Sequence, residues 1–164
     1  MSADRCIGTP LGDSNLWAKL DLVDGRIATI RIEATACVTV VPRDEVTADV
    51  ETIIDALAGW PEAESQEWVD HPLFPPVGSR FQRQVWRELC RIPPGGYSTY
   101  GDIARAIGRP RAARAVGQAV GANPWPPLVP CHRVLAAGKR LGGYALGTGI
   151  KRRLLRIEGV EPVT

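Results

Sequence analysis

The 164 residues are 45% hydrophobic and 23% charged, as in a globular protein with a packed core, and no stretch has the roughly 20 apolar residues of a membrane span. No apolar run follows Met1–Arg5 as in a secretion signal, and the four cysteines are widely spaced, so we expect a cytoplasmic or nuclear protein that is not secreted. Residues 1–78 carry 14 acidic and 5 basic side chains, whereas residues 79–164 carry 4 and 15, which predicts a C-terminal half that binds a polyanion.

The N-terminal half begins with the pattern of a β-hairpin. Two runs of alternating hydrophobicity within Leu16–Ile32 meet at Asp24-Gly25, a dipeptide typical of tight hairpin turns. The β-branched stretch Ala36–Val41 predicts a third strand. We therefore expect a small antiparallel sheet in this half.

An amphipathic helix is predicted after the strands. Apolar residues recur there at helical spacing: Val46, Val50, Ile53, Ile54 and Leu57. Asp44 is the expected N-cap, and Gly59 is expected to end the helix. The prolines and acidic residues of positions 61–77 indicate a linker. We therefore predict an N-terminal α/β domain at residues 1–77 and a second domain at residues 78–164.

The C-terminal half is predicted to be mostly helical, which makes the fold class α/β (α+β). Ser79 begins one helix with a capping-box pattern, and Thr99 caps a short helix that Gly108 ends. A third helix is expected within residues 111–123. Two helices joined by a short turn containing glycine favour a helix-turn-helix, with an ordinary αα-corner as the alternative.

The third predicted helix carries mostly small side chains. They are Ala112, Ala113, Ala115, Gly117, Ala119 and Gly121. A bare helix can approach a narrow groove closely, and Arg114 projecting from it could enter the base stack of DNA. Close packing against a neighbouring helix would explain the alanines and glycines but not an exposed arginine among them.

A glycine-rich stretch and a final helix complete the chain. Residues 136–149 contain five glycines but lack the Gly-Lys-Ser/Thr ending of a nucleotide P-loop, which favours a lid around a pocket. The last helix is predicted at Ile150–Glu158, followed by Gly159, with Leu154 and Leu155 facing inward. Four basic residues are expected to face outward from it: Lys151, Arg152, Arg153 and Arg156.

The pair Cys131-His132 is the main candidate for chemistry. A buried cysteine is usually a small hydrophobe. Here His132 and Arg133 adjoin it, and cationic neighbours favour the reactive thiolate. The signatures of papain-like hydrolases are absent. A zinc site is the weaker alternative, since it would have to join distant residues: Cys6, Cys37 and His71.

The segment VPCHRVL (Val129–Leu135) resembles the active-site signature of the O6-alkylguanine-DNA alkyltransferases, the methylated-DNA–protein-cysteine methyltransferases. The similarity extends over Phe81–Val134 and Gly142–Gly159, and is weaker in the N-terminal half, where it is carried by TPLG (Thr9–Gly12) and the hairpin-plus-helix order. The resemblance implies DNA repair by irreversible, stoichiometric transfer of an alkyl group from O6-alkylguanine in double-stranded DNA, with O4-alkylthymine as a second substrate. It implies a monomer that needs no cofactor and can bind DNA cooperatively.

The resemblance also implies a role for each catalytic residue. Cys131 accepts the alkyl group. His132 takes the thiol proton through a water molecule, and Glu158 orients and charges that histidine. Asn123 supports the turn that holds the cysteine. Tyr100 helps to rotate the nucleotide out of the helix and donates a proton or hydrogen bond to guanine N3.

Two further sets of residues follow from the resemblance. The expected DNA-binding set, with Arg114 taking the place of the extruded base in the minor groove, is Arg114, Tyr100, Ala112, Ala113 and Gly117. The expected substrate pocket is Tyr144, Ala145, Leu146, Val134 and Pro126. Ala145 stands where relatives often have serine, and its backbone N–H would serve instead. Leu146 stands where relatives that accept bulky groups have small residues, which predicts good methyl transfer and poor benzyl transfer.

Two other functions are considered beside the alkyltransferase. Alkyltransferase-like proteins bind lesions without catalysis and carry the same domain with the cysteine replaced, usually by tryptophan, so Cys131, His132 and Glu158 together argue against that class. A regulator that used only the helix-turn-helix would leave the glycine-rich stretch without a function. No metal site is expected, because the N-terminal half lacks a convincing cluster of Cys and His ligands.

Overall fold

The structure is a computed structural model that describes residues 5–35, 46–62 and 67–163. Its N-terminal half contains three antiparallel strands in the order β1-β2-β3: β1 (Arg5–Pro10), β2 (Trp17–Val23) and β3 (Arg26–Glu33). The predicted hairpin is confirmed, since β2 pairs with β3 around Asp24 and Gly25, which both have positive φ angles. The predicted strand Ala36–Val41 lies outside the described residues.

Helix α1 (Ala48–Ala58) packs one apolar face into the same hydrophobic core as the strands. Four of the five predicted residues are buried on this face: Val50, Ile53, Ile54 and Leu57. Val46 lies before the helix and is half-buried. Gly59 ends the helix, as predicted. The cap assignment was wrong, because Thr47 is the N-cap and its hydroxyl accepts a hydrogen bond from Val50 N. Asp44 lies outside the described residues.

The C-terminal half is mostly helical, as predicted. Its helices are α2 (Arg80–Cys90), α3 (Tyr100–Ala106), α4 (Ala113–Gly121) and α5 (Thr148–Ile157), with short paired strands β4 (Ser98–Thr99) and β5 (Val134–Leu135). The capping boxes at Ser79 and Thr99 are both present. With the antiparallel sheet of the other half, these elements confirm the α/β (α+β) fold class.

Helices α3 and α4 form the predicted two-helix unit. Helix α4 buries Val116, Ala119 and Val120, while Arg114 at its start is exposed. It is shorter than the predicted span of residues 111–123, because Ala112 is its N-cap and Ala122 its C-cap. The exposed residues of α4 therefore combine small side chains with two larger ones, Arg114 and Gln118.

One predicted orientation in α5 was wrong. Leu154 and Leu155 are buried as expected, but Lys151, which we expected to face outward, is only 1% exposed. Positions 151, 154 and 155 are spaced i, i+3 and i+4, so they share one face of the helix. The apolar face therefore carries the lysine into the interior.

The two halves share one continuous core. Ile30 N of β3 donates to Pro124 O at 2.8 Å, and Trp125 Nε1 donates to Ile27 O at 3.3 Å. Within the predicted linker, residues 68–70 form a 3₁₀ turn that buries Trp68. The division into two domains at residue 77 stays a prediction. In the part of the chain that the structure describes, every helix is too short or too polar to span a bilayer.

Candidate active site

A cavity of about 360 Å³ lies between strand β3 and the C-terminal half. Its volume is within the usual range of small-molecule pockets, about 300–1,000 Å³. Eight of the predicted site residues line it: Tyr100, Gly117, Asn123, Pro126, Cys131, Tyr144, Ala145 and Leu146. Val134, expected in the pocket wall, is fully buried and does not line the cavity. Three lining residues come from β3 and had no signal in the sequence: Thr29, Ile30 and Arg31.

The cysteine is held at the start of a tight turn. Residues 131–133 form a 3₁₀ turn, and Cys131 N donates to Val129 O at 2.8 Å. The side chain of Asn123 braces the segment before it, since Nδ2 donates to Val129 O at 2.7 Å and Oδ1 accepts from Trp125 N at 3.0 Å. Asn123 therefore fixes the backbone that leads into the cysteine.

The Cys131 thiol is buried and protonated in the resting protein. Burial raises its pKa, and hydrogen bonds to Asn123 and Tyr144 only partly oppose this effect. The sulfur lies 3.7 Å from the Tyr144 hydroxyl. Our expectation that Arg133 favours the thiolate was wrong, because its guanidinium is bound elsewhere. The thiol therefore needs a base before it can act as a nucleophile.

A buried array of three side chains lies behind the cysteine. His132 Nε2 is 3.1 Å from Glu158 Oε1. Arg133 donates three hydrogen bonds to the same carboxylate, from Nη2 to Oε1 at 2.6 Å and from Nε to Oε2 at 2.9 Å and Oε1 at 3.2 Å. Its Nη1 donates to Ile92 O at 2.6 Å. The side chains of His132 and Glu158 are 0% exposed. One carboxylate at the end of α5 therefore holds both residues that follow the cysteine.

Burial leaves His132 neutral and able to accept a proton. Burial alone would raise the pKa of Glu158, but its bonds to His132 and Arg133 lower it to about 2, so it is ionised. Burial lowers the pKa of His132, against the opposing effect of Glu158. Nε2 then carries the hydrogen that faces the carboxylate, and Nδ1 is a buried acceptor with no protein partner among the described residues.

Tyr100 connects the two-helix unit to the cavity. It is the first residue of α3, and its ring lies against Gly117 of α4, where an added Cβ would be 3.8 Å away. Burial, then the proximity of Cys131, raises its pKa, so the hydroxyl stays protonated and can donate. The predicted DNA-binding residues Arg114, Ala112 and Ala113 lie at the start of α4, outside the cavity lining.

Lys151 is a site residue that the sequence interpretation missed. Its ammonium donates to Gly143 O at 3.0 Å and lies 6.0 Å from the centre of the Tyr144 ring. Burial lowers its pKa to about 8. The spacing of Lys151 with Leu154 and Leu155 would have revealed its inward orientation. Among the described residues, no group of three His, Cys, Asp or Glu side chains could hold a metal ion, and Cys37 lies outside them.

Sequence comparison identifies relatives of the C-terminal half. Residues 80–160 match the family model for the 6-O-methylguanine DNA methyltransferase DNA-binding domain. The chain is 52% identical over 84 residues to the methylated-DNA–protein-cysteine methyltransferase of Methanosarcina acetivorans, and 54% identical over 82 residues to that of Salmonella typhimurium. These matches cover 51% and 50% of this chain, and 54% and 48% of the relatives, so the chain spans about half of their length.

Structural similarity extends over both halves. Mycobacterium tuberculosis OGT, crystallised with DNA, is 32% identical with a TM-score of 0.61, covering 94% of this chain and 92% of that one. The O6-methylguanine-DNA methyltransferase of Pyrococcus kodakaraensis is 26% identical with a TM-score of 0.68, covering 94% and 98%. Fold and site thus define a class of α/β protein whose helical half holds a buried Cys-His-Glu site. The chain belongs to the O6-methylguanine-DNA methyltransferase family, which confirms the resemblance seen in the sequence.

Proposed function

We propose that the protein repairs DNA by transferring the alkyl group of O6-alkylguanine in double-stranded DNA directly and irreversibly to Cys131. The same proposal extends to O4-alkylthymine, which presents an equivalent bond between an alkyl carbon and a base oxygen. The main observation behind this proposal is that the Cys131 thiol lines the cavity of about 360 Å³. The next residue in the chain, His132, is held by Glu158. Such a protein works where the DNA is, in the cytoplasm of a bacterium or the nucleus of a eukaryote.

The proposed chemistry begins with the thiol proton. A water molecule passes it to His132 Nδ1, the buried acceptor, while Glu158 stabilises the imidazolium that forms. The sulfur attacks the alkyl carbon, the carbon–O6 bond breaks, and the electron pair of that bond leaves with the guanine. Tyr100 donates a hydrogen bond to guanine N3 as negative charge develops on the leaving guanine. The proton that the thiol released then neutralises the guanine.

The atoms of this reaction balance without a cofactor. The thiol hydrogen replaces the alkyl group on guanine, a carbon–sulfur bond replaces the carbon–oxygen bond, and no electron is gained or lost overall. The product is a thioether, which none of the site residues could cleave by acid–base chemistry. Each molecule of protein therefore acts once.

Access to O6 requires the nucleotide to leave the duplex, because the alkyl group lies inside the base stack. Extrusion costs a few kcal/mol. In the proposal, α4 enters the minor groove with its small residues Ala112, Ala113 and Gly117, and Arg114 fills the space of the extruded base. The flipped nucleobase then occupies the cavity, whose lining includes Tyr100, Pro126 and three residues of the glycine-rich segment: Tyr144, Ala145 and Leu146.

The test is incubation with a duplex that carries radiolabelled O6-methylguanine. About one equivalent of label should move to the protein, because the thioether is stable. Cys131→Ser should abolish the transfer. Cys90→Ser is the matched control, since Cys90 is half-buried on α2 and does not line the cavity, and it should leave transfer unchanged. Binding of the lesion without transfer would instead indicate an alkyltransferase-like protein, and binding without preference for the lesion a regulator.

A further inference from the structure

A tryptophan of the N-terminal half packs directly against His132, the candidate general base. The indole of Trp60 packs against the imidazole of His132, with ring centroids 5.8 Å apart and planes at 71°. Trp60 is 5% exposed and His132 0%, so the contact is fully enclosed. Trp60 does not line the cavity and has no part in the chemistry described above.

Packing alone does not account for a tryptophan at this position. Among the buried side chains that the structure describes, two nitrogen or oxygen atoms lack a hydrogen-bond partner within the protein, Trp60 Nε1 and His132 Nδ1. The indoles of Trp86 and Trp125, by contrast, donate to backbone carbonyls at 2.8 and 3.3 Å. A buried N–H without a protein partner is destabilising, and an apolar ring would fill the space without that penalty. Both unpartnered nitrogens belong to the same contact, which indicates a role beyond filling volume.

Gly12, in the turn between β1 and β2, contacts the backbone of Trp60 and fixes its position. Trp60 N and Gly12 N both donate to Leu57 O at 3.2 Å. Gly12 has a φ of +51°, and a Cβ built on it would lie 2.0 Å from Trp60 O. Glycine therefore permits the close approach of two backbones that fixes Trp60. Gly12 belongs to Thr9–Gly12, the stretch that carries the N-terminal resemblance to the family.

The protonation of His132 is sensitive to how well water is kept away from it. Glu158 favours the imidazolium, whereas Arg133 on its own turn and Lys151 on α5 disfavour it, and Cys131 precedes it in the chain. Burial is the largest influence and lowers the pKa of His132. Trp60 carries no charge, so it acts on the imidazole through this burial and through the orientation of the ring.

We propose that Trp60 is a positioning residue that holds the His132 ring against Glu158 and excludes water from one of its faces. The proposal rests on the proposed function, in which a neutral, correctly oriented His132 takes the thiol proton. It gives the N-terminal half a part in the reaction that complements the DNA-binding role of the other half.

The test compares three variants in the full chain. Trp60→Ala removes the ring, and Trp60→Phe keeps an aromatic edge. Trp68→Ala is the matched control, because Trp68 is also buried, at 3% exposure, but packs on His71 and Trp125, with ring centroids 5.4 and 6.3 Å away, and not on His132. The first readout is an NMR titration of the His132 imidazole, which is simple because the chain has two histidines. The second is the single-turnover rate of alkyl transfer as a function of pH.

Trp60→Ala should raise the NMR titration midpoint of His132 and move the acid limb of the rate profile to higher pH. At a pH on that limb the rate should fall roughly three- to tenfold, with the plateau retained. Trp60→Phe and Trp68→Ala should keep the wild-type midpoint. If Trp60→Ala does not fold, Trp60→Leu replaces it and should move the midpoint in the same direction.

An unchanged midpoint in the variant without the ring, or an equal shift in Trp68→Ala, would overturn the proposal. If the wild-type protein transfers no alkyl group, the proposed function fails. The NMR midpoint would still decide whether Trp60 controls His132, because that readout needs no substrate.

Discussion

The ammonium of Lys151 donates a hydrogen bond of 3.0 Å to the backbone carbonyl of Gly143, although the side chain is only 1% exposed. This bond joins α5 to the glycine-rich wall of the cavity, next to Tyr144. Burial lowers the pKa of the ammonium to about 8, and the nearby Cys131 opposes the effect. The lysine is therefore charged near neutral pH and positions the segment that forms one side of the candidate pocket.

The first prediction concerns stability at alkaline pH. The pKa of Lys151 is about 8 in the folded protein, against an ordinary value of 10.5. The folded state binds this proton less tightly than the unfolded state, so the free energy of unfolding should gain a favourable contribution as pH rises from about 8 towards 10.5. Lys151→Met should lose that contribution, whereas Lys19→Met on β2 should retain it. Urea unfolding at about pH 7.5 and pH 9.5 measures the difference. Equal pH dependence in wild type and Lys151→Met would contradict it.

The second prediction concerns the carboxylate that holds the turn after the cysteine. Glu158→Gln leaves the buried guanidinium of Arg133 without its countercharge, so we expect a loss of about 3–5 kcal/mol in the free energy of unfolding at neutral pH. Glu161→Gln is the control, because its ion pair with Arg156 is exposed and should matter little. Urea unfolding measures both variants, and equal losses would refute the prediction.

The same carboxylate predicts how stability depends on acid. The pKa of Glu158 is about 2, below its ordinary value of 4.5, so its contribution is fully present above about pH 4.5 and is lost as pH falls towards 2. Glu158→Gln should therefore show a flatter decline than wild type in this window.

The features that could be predicted from the sequence depend on residues close together in the chain. The capping box at Ser79, the N-cap at Thr99 and the hairpin turn at Asp24-Gly25 each arise within a few positions, and all are present. The cysteine motif was recognisable for the same reason, since its neighbours are consecutive. Local hydrogen bonds and turn geometry decide these features, so they survive whatever the rest of the chain does.

The features that were missed depend on contacts between distant segments. Arg133 was expected to activate the thiol, but Glu158, at the far end of α5, binds its guanidinium. Trp60 and the β3 side of the cavity come from the other half of the chain, and no spacing in the sequence brings them to His132 or Cys131. The protonation of the thiol is likewise set by burial, which is a property of the whole fold.

The third prediction concerns the size of the alkyl group. Leu146 is half-buried and lines the cavity, so it limits the space for a bulky substituent. The wild-type protein should react slowly with O6-benzylguanine, and Leu146→Ala should react about tenfold faster or more. Leu141→Ala is the matched control, because Leu141 is also half-buried but lies outside the cavity lining. Fast labelling of the wild type by a benzylguanine probe would show that Leu146 does not set this limit.

The fourth prediction separates base extrusion from general attraction to DNA. Arg114→Ala should slow alkyl transfer on duplex DNA by about ten- to a hundredfold, because in the proposed function Arg114 fills the space that the extruded base leaves. Transfer on single-stranded DNA should change little, since no base pair has to open. Arg153→Ala removes an equal charge from an exposed position on α5 and should affect both substrates alike. Equal slowing of Arg114→Ala on duplex and single strand would contradict the role.

The fifth prediction concerns the glycine that seats Trp60. A side chain at position 12 faces two costs, a φ of +51° and a Cβ that would lie 2.0 Å from Trp60 O. Gly25→Ala isolates the first cost, because Gly25 has a φ of +76° and nothing within 4 Å of an added Cβ. Gly25→Ala should cost about 1–2 kcal/mol in the free energy of unfolding, the penalty of a left-handed backbone. Gly12→Ala should lower the free energy of unfolding by clearly more. Its Cβ would clash with a backbone carbonyl, which cannot move aside as a flexible side chain can. Urea unfolding of the two variants gives the comparison, and if Gly12→Ala costs no more than Gly25→Ala, Gly12 is not what holds Trp60 against His132.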